Sequence, residues 1–183
     1  MKFLDNVRDR NIELTPEHEL AKCLEDPQLL EWFLDTKREH YALLSWVSKQ
    51  FDGVTLYDIG TYKGLSALAL AANPNNKVIS YDIENFLELK DPPSNIDFRI
   101  GNFFEDQDIL KSPFIMFDVD PHDGGIETRA MYWLKASGYK YTIMFDDIHL
   151  NANMQSFWNQ IEDEKHDLTD FGHWSGTGLV FLQ

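Results

Sequence analysis

Between residues 54 and 145, short apolar runs alternate with stretches of helical periodicity. Val54–Tyr57, Lys77–Tyr81, Ile96–Ile100, Pro113–Phe117 and Tyr141–Phe145 read as strands, and the first, fourth and fifth run into aspartate. Leu65, Leu68, Ala69 and Ala72 fall at i, i+3, i+4 and i+7, and Ile126, Ala130, Met131 and Leu134 form a similar stripe before a stop at Gly138. Such alternation predicts right-handed crossovers and a mainly parallel sheet with helices on both faces. Ligands of these sheets bind beyond the carboxyl ends of the strands, so the aspartates are expected to gather at one rim.

The flanks add helices and a hairpin. In the first fifty residues, Thr15-Pro16 and Asp26-Pro27 each set a capping residue before a proline at the first helical position. Leu30, Phe33, Leu34, Tyr41, Leu44 and Val47 then recur at helical spacing, with Lys37, Arg38 and Glu39 on the expected wet face. That stripe is either plain packing or the wall of a substrate pocket. Near the other end, a helix is expected around Met154, Phe157, Trp158 and Ile161, then strands at Leu168–Phe171 and Leu179–Leu182 joined by the turn-rich Gly172–Gly178. With no interdomain linker or repeat, residues 1–50 read as a helical segment of the same domain as residues 51–183.

Composition narrows the partners. The 183 residues are 43% hydrophobic and carry 31 acidic against 16 basic side chains, a net charge of −15. That balance disfavours nucleic acid, whose phosphates need concentrated basic surface. The lone Cys23 fits a reducing cytoplasm, the N-terminal residues lack the apolar core of a secretory signal, and no apolar run approaches the roughly 20 residues that cross a bilayer. A cytoplasmic protein without membrane association is expected, with homo-oligomerisation left open.

The chemistry centres on Asp58-Ile59-Gly60-Thr61-Tyr62-Lys63-Gly64-Leu65-Ser66, which follows the first strand and opens the first crossover helix. Gly60 lets the chain turn and a ligand approach the backbone, and Gly64 lets the helix start close to the sheet. The second strand ends at Asp82, where a carboxylate can accept both hydroxyls of an adenosine ribose; the third ends at Gly101-Asn102-Phe103, an amide and an aromatic placed to bracket adenine. A dinucleotide loop would have glycine where Tyr62 stands. Asp58 would repel a pyrophosphate but attract the ammonium or sulfonium of S-adenosylmethionine (SAM).

The segment from Asp58 to Ser66 resembles the first motif of class I SAM-dependent methyltransferases, above all the catechol O-methyltransferase-like branch, over roughly residues 50 to 183. The resemblance implies a Rossmann-like α/β three-layer sandwich with a mainly parallel seven-strand sheet whose last strand is antiparallel. It implies that Asp58, Gly60 and Ser66 touch the methionine part of the cofactor, Asp82 the ribose, and Asn102 with Phe103 the adenine side, with Tyr62 and Gly64 of the same loop also cofactor-binding.

The fourth and fifth strand ends, Asp118-Val119-Asp120-Pro121-His122 and Asp146-Asp147, resemble the acidic sites of metal-dependent O-methyltransferases and cephalosporin hydroxylase-like methyltransferases. By that resemblance Asp120, Asp146 and Asp147 bind Mg²⁺ or another divalent cation. His122, with Asp120, is the candidate to take the proton of an acceptor hydroxyl. His149, His173 and Trp174 can reach the same rim or simply pack. Asp91-Pro92-Pro93-Ser94 lacks the aromatic of an amino-methyltransferase motif, and Gly172-His173-Trp174-Ser175-Gly176 is no nucleophile elbow. The expected activity is methyl transfer from SAM to a small molecule at a hydroxyl oxygen; the competing reading is a non-catalytic adenosine-ligand module on the same fold.

Overall fold

The strands β1 (Thr55–Ile59), β2 (Lys77–Asp82), β3 (Ile96–Ile100), β4 (Phe114–Phe117), β5 (Thr142–Asp146), β6 (Glu164–Asp167) and β7 (Thr177–Phe181) form one sheet in the order β3-β2-β1-β4-β5-β7-β6. The computed structural model describes residues 2–183. The β1–β2, β2–β3, β1–β4 and β4–β5 pairs are parallel, and β7 runs antiparallel to both neighbours. This is the three-layer class I methyltransferase architecture. Strand order reverses between β1 and β4, the place where such sheets open a ligand crevice.

Period-two alternation sends Leu56, Val78, Phe114, Met116, Met144 and Leu179 to one face, where α1 (Lys2–Arg8), α2 (Pro27–Leu34), α3 (Tyr41–Ser48) and α4 (Leu65–Leu70) cover them. Tyr57, Ile79, Ile115, Phe117, Ile143 and Val180 point to the other face, under α5 (Gly125–Ala136) and α6 (Ala152–Gln160). Both faces of the central strands are thus dry, which is why these runs are apolar throughout rather than alternating with polar residues. No helix among the described residues is long and apolar enough to cross a membrane.

Three local expectations are corrected. Thr15-Pro16 starts no α-helix, and the next helical turn is the 3-10 segment Leu20–Cys23. Ile12 and Leu14, two residues apart, both lean on the core, which suits extended chain. Asp26 does cap α2, its Oδ1 accepting the Gln28 and Leu29 amides at 2.7 and 3.2 Å.

The stripe from Leu30 to Val47 is not continuous helix. Asp35 Oδ1 accepts the Lys37 and Arg38 amides at 2.7 and 3.1 Å, a side-chain turn that takes the backbone donors away from a helix. Residues 35–40 are therefore a loop between α2 and α3. In the last third, Leu168–Phe171 is not a strand: Thr169–Phe171 is a 3-10 turn, and the strand is the polar, half-buried Glu164–Asp167 just before it. An edge strand of this composition has no apolar signature to read.

Candidate functional site

The loop after β1 is pinned to the end of β2. The Gly60 and Thr61 amides both donate to the Tyr81 carbonyl, at 2.9 and 3.2 Å. Gly60 has φ +103°, and a Cβ built there would lie 1.6 Å from the Asp118 carbonyl oxygen. The room left by glycine is thus filled by the backbone leaving β4. Gly64, at φ +95°, would bring a Cβ within 2.6 Å of Leu87 Cδ1, so its missing side chain admits the β2–β3 connection rather than the sheet, a correction to the sequence reading.

Asp82 binds this loop. Its Oδ2 accepts the Tyr62 amide at 2.8 Å, and its Oδ1 accepts the Ile83 amide at 2.7 Å. A carboxylate has about four lone-pair sites, so acceptor capacity remains for a ligand. Asp82, Gly60, Tyr62, Gly101 and Phe103 line a cavity of about 530 Å³ beyond the strand ends. Phe103 is buried there, its ring 4.1 Å from that of Phe104 and edge-on to Phe117. Asn102 is exposed, and its Oδ1 accepts the Phe104 amide at 3.2 Å, so its side chain caps a turn instead of lining the cavity.

Asp58 lies beneath the loop, fully buried. The Ser80 hydroxyl donates to its Oδ2 at 2.6 Å and also lies 2.5 Å from Thr61 Oγ1. Burial pushes the Asp58 carboxyl up to about 6, against the pull of hydrogen bonds from Ser80 and Ser66. Ser66 lines a small pocket of about 50 Å³ beside Gly60 and Asp118. Asp58 therefore supports the loop from below, without opening onto the main cavity.

The opposite wall is acidic and carries three histidines. Asp118, Asp120, His122, Asp146 and Asp147 line it from the ends of β4 and β5, with Glu39, His40 and His173 from flanking loops. His122 Nδ1 lies 3.4 Å from Asp147 Oδ2, and its Nε2 lies 3.4 Å from Asp120 Oδ1 and 3.9 Å from Asp118 Oδ1. Burial and the nearby Asp146 push the Asp118 carboxyl up to about 7, partly countered by His40 and His122. Although burial opposes charge on His173, Asp146 and Asp147 raise it to about 10. Burial likewise works against ionised Asp146, but His40 and His173 hold its carboxyl below the usual carboxylate range.

The trio Asp120, Asp146 and Asp147 is not assembled. The Asp120 side chain is 98% exposed at the cavity mouth, and the clustered groups are instead Asp118 with His122 and Asp147, and Asp146 with His40 and His173. Asp147 Oδ1 is occupied by the Ser175 hydroxyl. Mg²⁺ favours hard oxygen donors in octahedral array, and a set with imidazoles against Asp146 does not fit that demand. His149 faces Asp167 at 2.6 Å and Trp174 is exposed, so of the three rim candidates only His173 enters the cavity.

Sequence reasoning placed Glu39 on a wet helix face and did not single out His40; in the structure the loop that begins with the Asp35 turn carries both into the cavity wall. It also preferred Asp120 to Asp118. The available signal was position: Asp118 directly follows β4, as Asp147 follows β5.

No protein-family model matches the chain, and no curated protein matches it in sequence. Solved structures do. The O-methyltransferase TomG from Streptomyces achromogenes, in complex with SAM, is 15% identical with a TM-score of 0.58, matching 98% of this chain and 96% of that one. The O-methyltransferase from Bacillus cereus, in complex with S-adenosylhomocysteine (SAH), is 14% identical with a TM-score of 0.57, over 98% and 97% of the two chains. The SAH-bound methyltransferase PaMTH1 from Podospora anserina is 12% identical with a TM-score of 0.59, over 100% and 96%. These likenesses establish that the chain has the fold of SAM-dependent O-methyltransferases.

Proposed function

We propose that the protein transfers a methyl group from SAM to a hydroxyl oxygen of a small-molecule acceptor. The observation that carries this reading is the division of one cavity into two walls. Gly60, Tyr62, Asp82 and Phe103 stand on one side, and Asp118, His122 and Asp147 on the other. Fold neighbours in complex with SAM or SAH support the choice of cofactor. The acidic lining supports it too, because a sulfonium cation is attracted where a pyrophosphate would be repelled.

In this reading Asp82 accepts the ribose hydroxyls and Phe103 contacts the adenine side. The acceptor lies against the acidic wall, with its oxygen in line with the methyl–sulfur bond. An oxygen lone pair forms the new bond to the methyl carbon, the carbon–sulfur electrons return to sulfur, and SAH leaves as a neutral thioether. His122 takes the hydroxyl proton, oriented through Nδ1 by Asp147. Holding two reactants in attack geometry can supply the larger part of the acceleration. Mg²⁺ bound by Asp120, Asp146 and Asp147 has no part in this reading, because Asp120 stands apart from the other two.

The test is to incubate the protein with SAM and a panel of hydroxylated small molecules and to follow SAH. Turnover with any acceptor supports the reading. Tight SAM binding by calorimetry with no turnover across a broad panel would favour a non-catalytic binding module, and binding of NAD in preference to SAM would overturn the cofactor assignment.

A further inference from the structure

His40 is only 3% exposed, yet neither of its ring nitrogens has a hydrogen-bond partner. A buried imidazole that gains only an ion-pair contact and no hydrogen bond is under-satisfied unless another ligand completes it. Its Nδ1 stands 3.2 Å from Asp146 Oδ2, and His173 Nδ1 stands 3.0 Å from the same oxygen. One ligating atom from each of the three residues lies within 4.8 Å of the others. A first-row cation about 2.1 Å from its ligands separates neighbouring ligands by about 3.0 Å on an octahedron and about 3.4 Å on a tetrahedron. Both short distances fall in that range.

We propose that His40, Asp146 and His173 form a site for a borderline transition-metal cation such as Zn²⁺, selected over Mg²⁺ by its two imidazoles. The donors come from the loop before α3, the end of β5 and the β6–β7 connection, so a bound cation would tie three distant segments together. Outer contacts suit the role. Thr177 Oγ1 donates to the other Asp146 oxygen at 3.2 Å, and Glu39 Oε2 lies 3.8 Å from His173 Nε2, on the far side of that ring. His173 Nδ1 is 3.0 Å from Asp146 Oδ2 and 2.8 Å from the Ser175 hydroxyl, which itself donates to Asp147, so a cation entering here takes the place of the Nδ1 proton and releases it. Two histidines and one carboxylate suit zinc or ferrous iron, whereas Mg²⁺ takes oxygen.

The inference goes beyond methyl transfer and is tested without SAM or acceptor, so failure of either reading leaves the other standing. The full chain is titrated with Co²⁺, a spectroscopic stand-in, and then with Zn²⁺. The expected result is one equivalent of Co²⁺ with visible absorption bands, displaced by Zn²⁺ but not by about a hundredfold excess of Mg²⁺. His173→Ala and His40→Ala should each weaken Zn²⁺ binding by at least about tenfold, and His149→Ala, whose imidazole faces Asp167 instead, should leave it unchanged. Circular dichroism checks that each variant is folded; should buried His40→Ala fail to fold, the more accessible His173→Ala decides. Absence of Co²⁺ bands in folded protein, equal affinity for Mg²⁺, or full Zn²⁺ affinity in folded His173→Ala would overturn the proposal.

Discussion

Gly60 meets the carbonyl oxygen of Asp118 so closely that a methyl group at its Cα would lie 1.6 Å from that atom. The contact joins the loop after β1 to the segment after β4, and so couples the two walls of the cavity. Gly60→Ala must both adopt φ +103° and push the β4 exit away. Strained backbone costs about 1–3 kcal/mol and overpacking a similar amount, so a loss of about 2–6 kcal/mol is expected in urea denaturation. An unchanged midpoint would show that the loop has more freedom than this packing allows.

Asp82 ties its own strand end to the Tyr62 amide while facing the cavity. Asp82→Ala is expected to weaken SAM binding by about 1–3 kcal/mol, the range for losing charge-assisted hydrogen bonds. Calorimetry with SAM measures this directly. Affinity equal to that of the unsubstituted protein would remove Asp82 from the nucleoside site.

The central parallel strands were legible because burial on both faces makes them apolar runs, and the glycine loop because its spacing is tied to a turn after β1. What escaped depended on local polar competition or long-range placement. Leu30 to Val47 looks like one helical stripe, and only the Asp35 side chain breaks it, sending His40 into the wall. Two aspartates two residues apart, Asp118 and Asp120, are equivalent in composition; the path of the chain turns one inward and leaves the other in solvent. Asn102 is a similar case, since a turn amide claims the side chain that looked free for adenine.

Asp58 gives a pH signature. Its folded-state value is raised by burial from 3.8 to about 6, so the folded chain keeps this proton over a range where the unfolded chain releases it. The Asp58 contribution to stability is therefore full below that window, declines as pH rises through it, and leaves a penalty of at most about 3 kcal/mol above it. Asp58→Asn removes the titration. The stability of the unsubstituted protein minus that of the variant, from urea denaturation at a series of pH values, should fall with rising pH across the window. A flat difference would mean that Asp58 keeps its ordinary carboxylate value.

His122, the base in the proposed reaction, is held by its backbone and flanked by carboxylates at its ring. Its residue adopts φ +52°, its carbonyl accepts the Asn151 side-chain amide at 2.8 Å, and its Nδ1 lies 3.4 Å from Asp147 Oδ2. With Nδ1 turned to Asp147, the proposed reaction uses Nε2, which the acceptor hydroxyl reaches by taking the place of the Asp120 carboxylate 3.4 Å away. General-base catalysis contributes about 10²–10⁴-fold, so His122→Gln should lower kcat by that factor and leave the Kd for SAM unchanged, because the cofactor wall is untouched. Raising the pH should recover part of the loss in the variant, since hydroxide then removes the proton that the imidazole no longer takes. Steady-state kinetics with the best acceptor of the panel, alongside calorimetry with SAM, separates the two effects. An unaltered kcat in folded His122→Gln would assign the proton to another group.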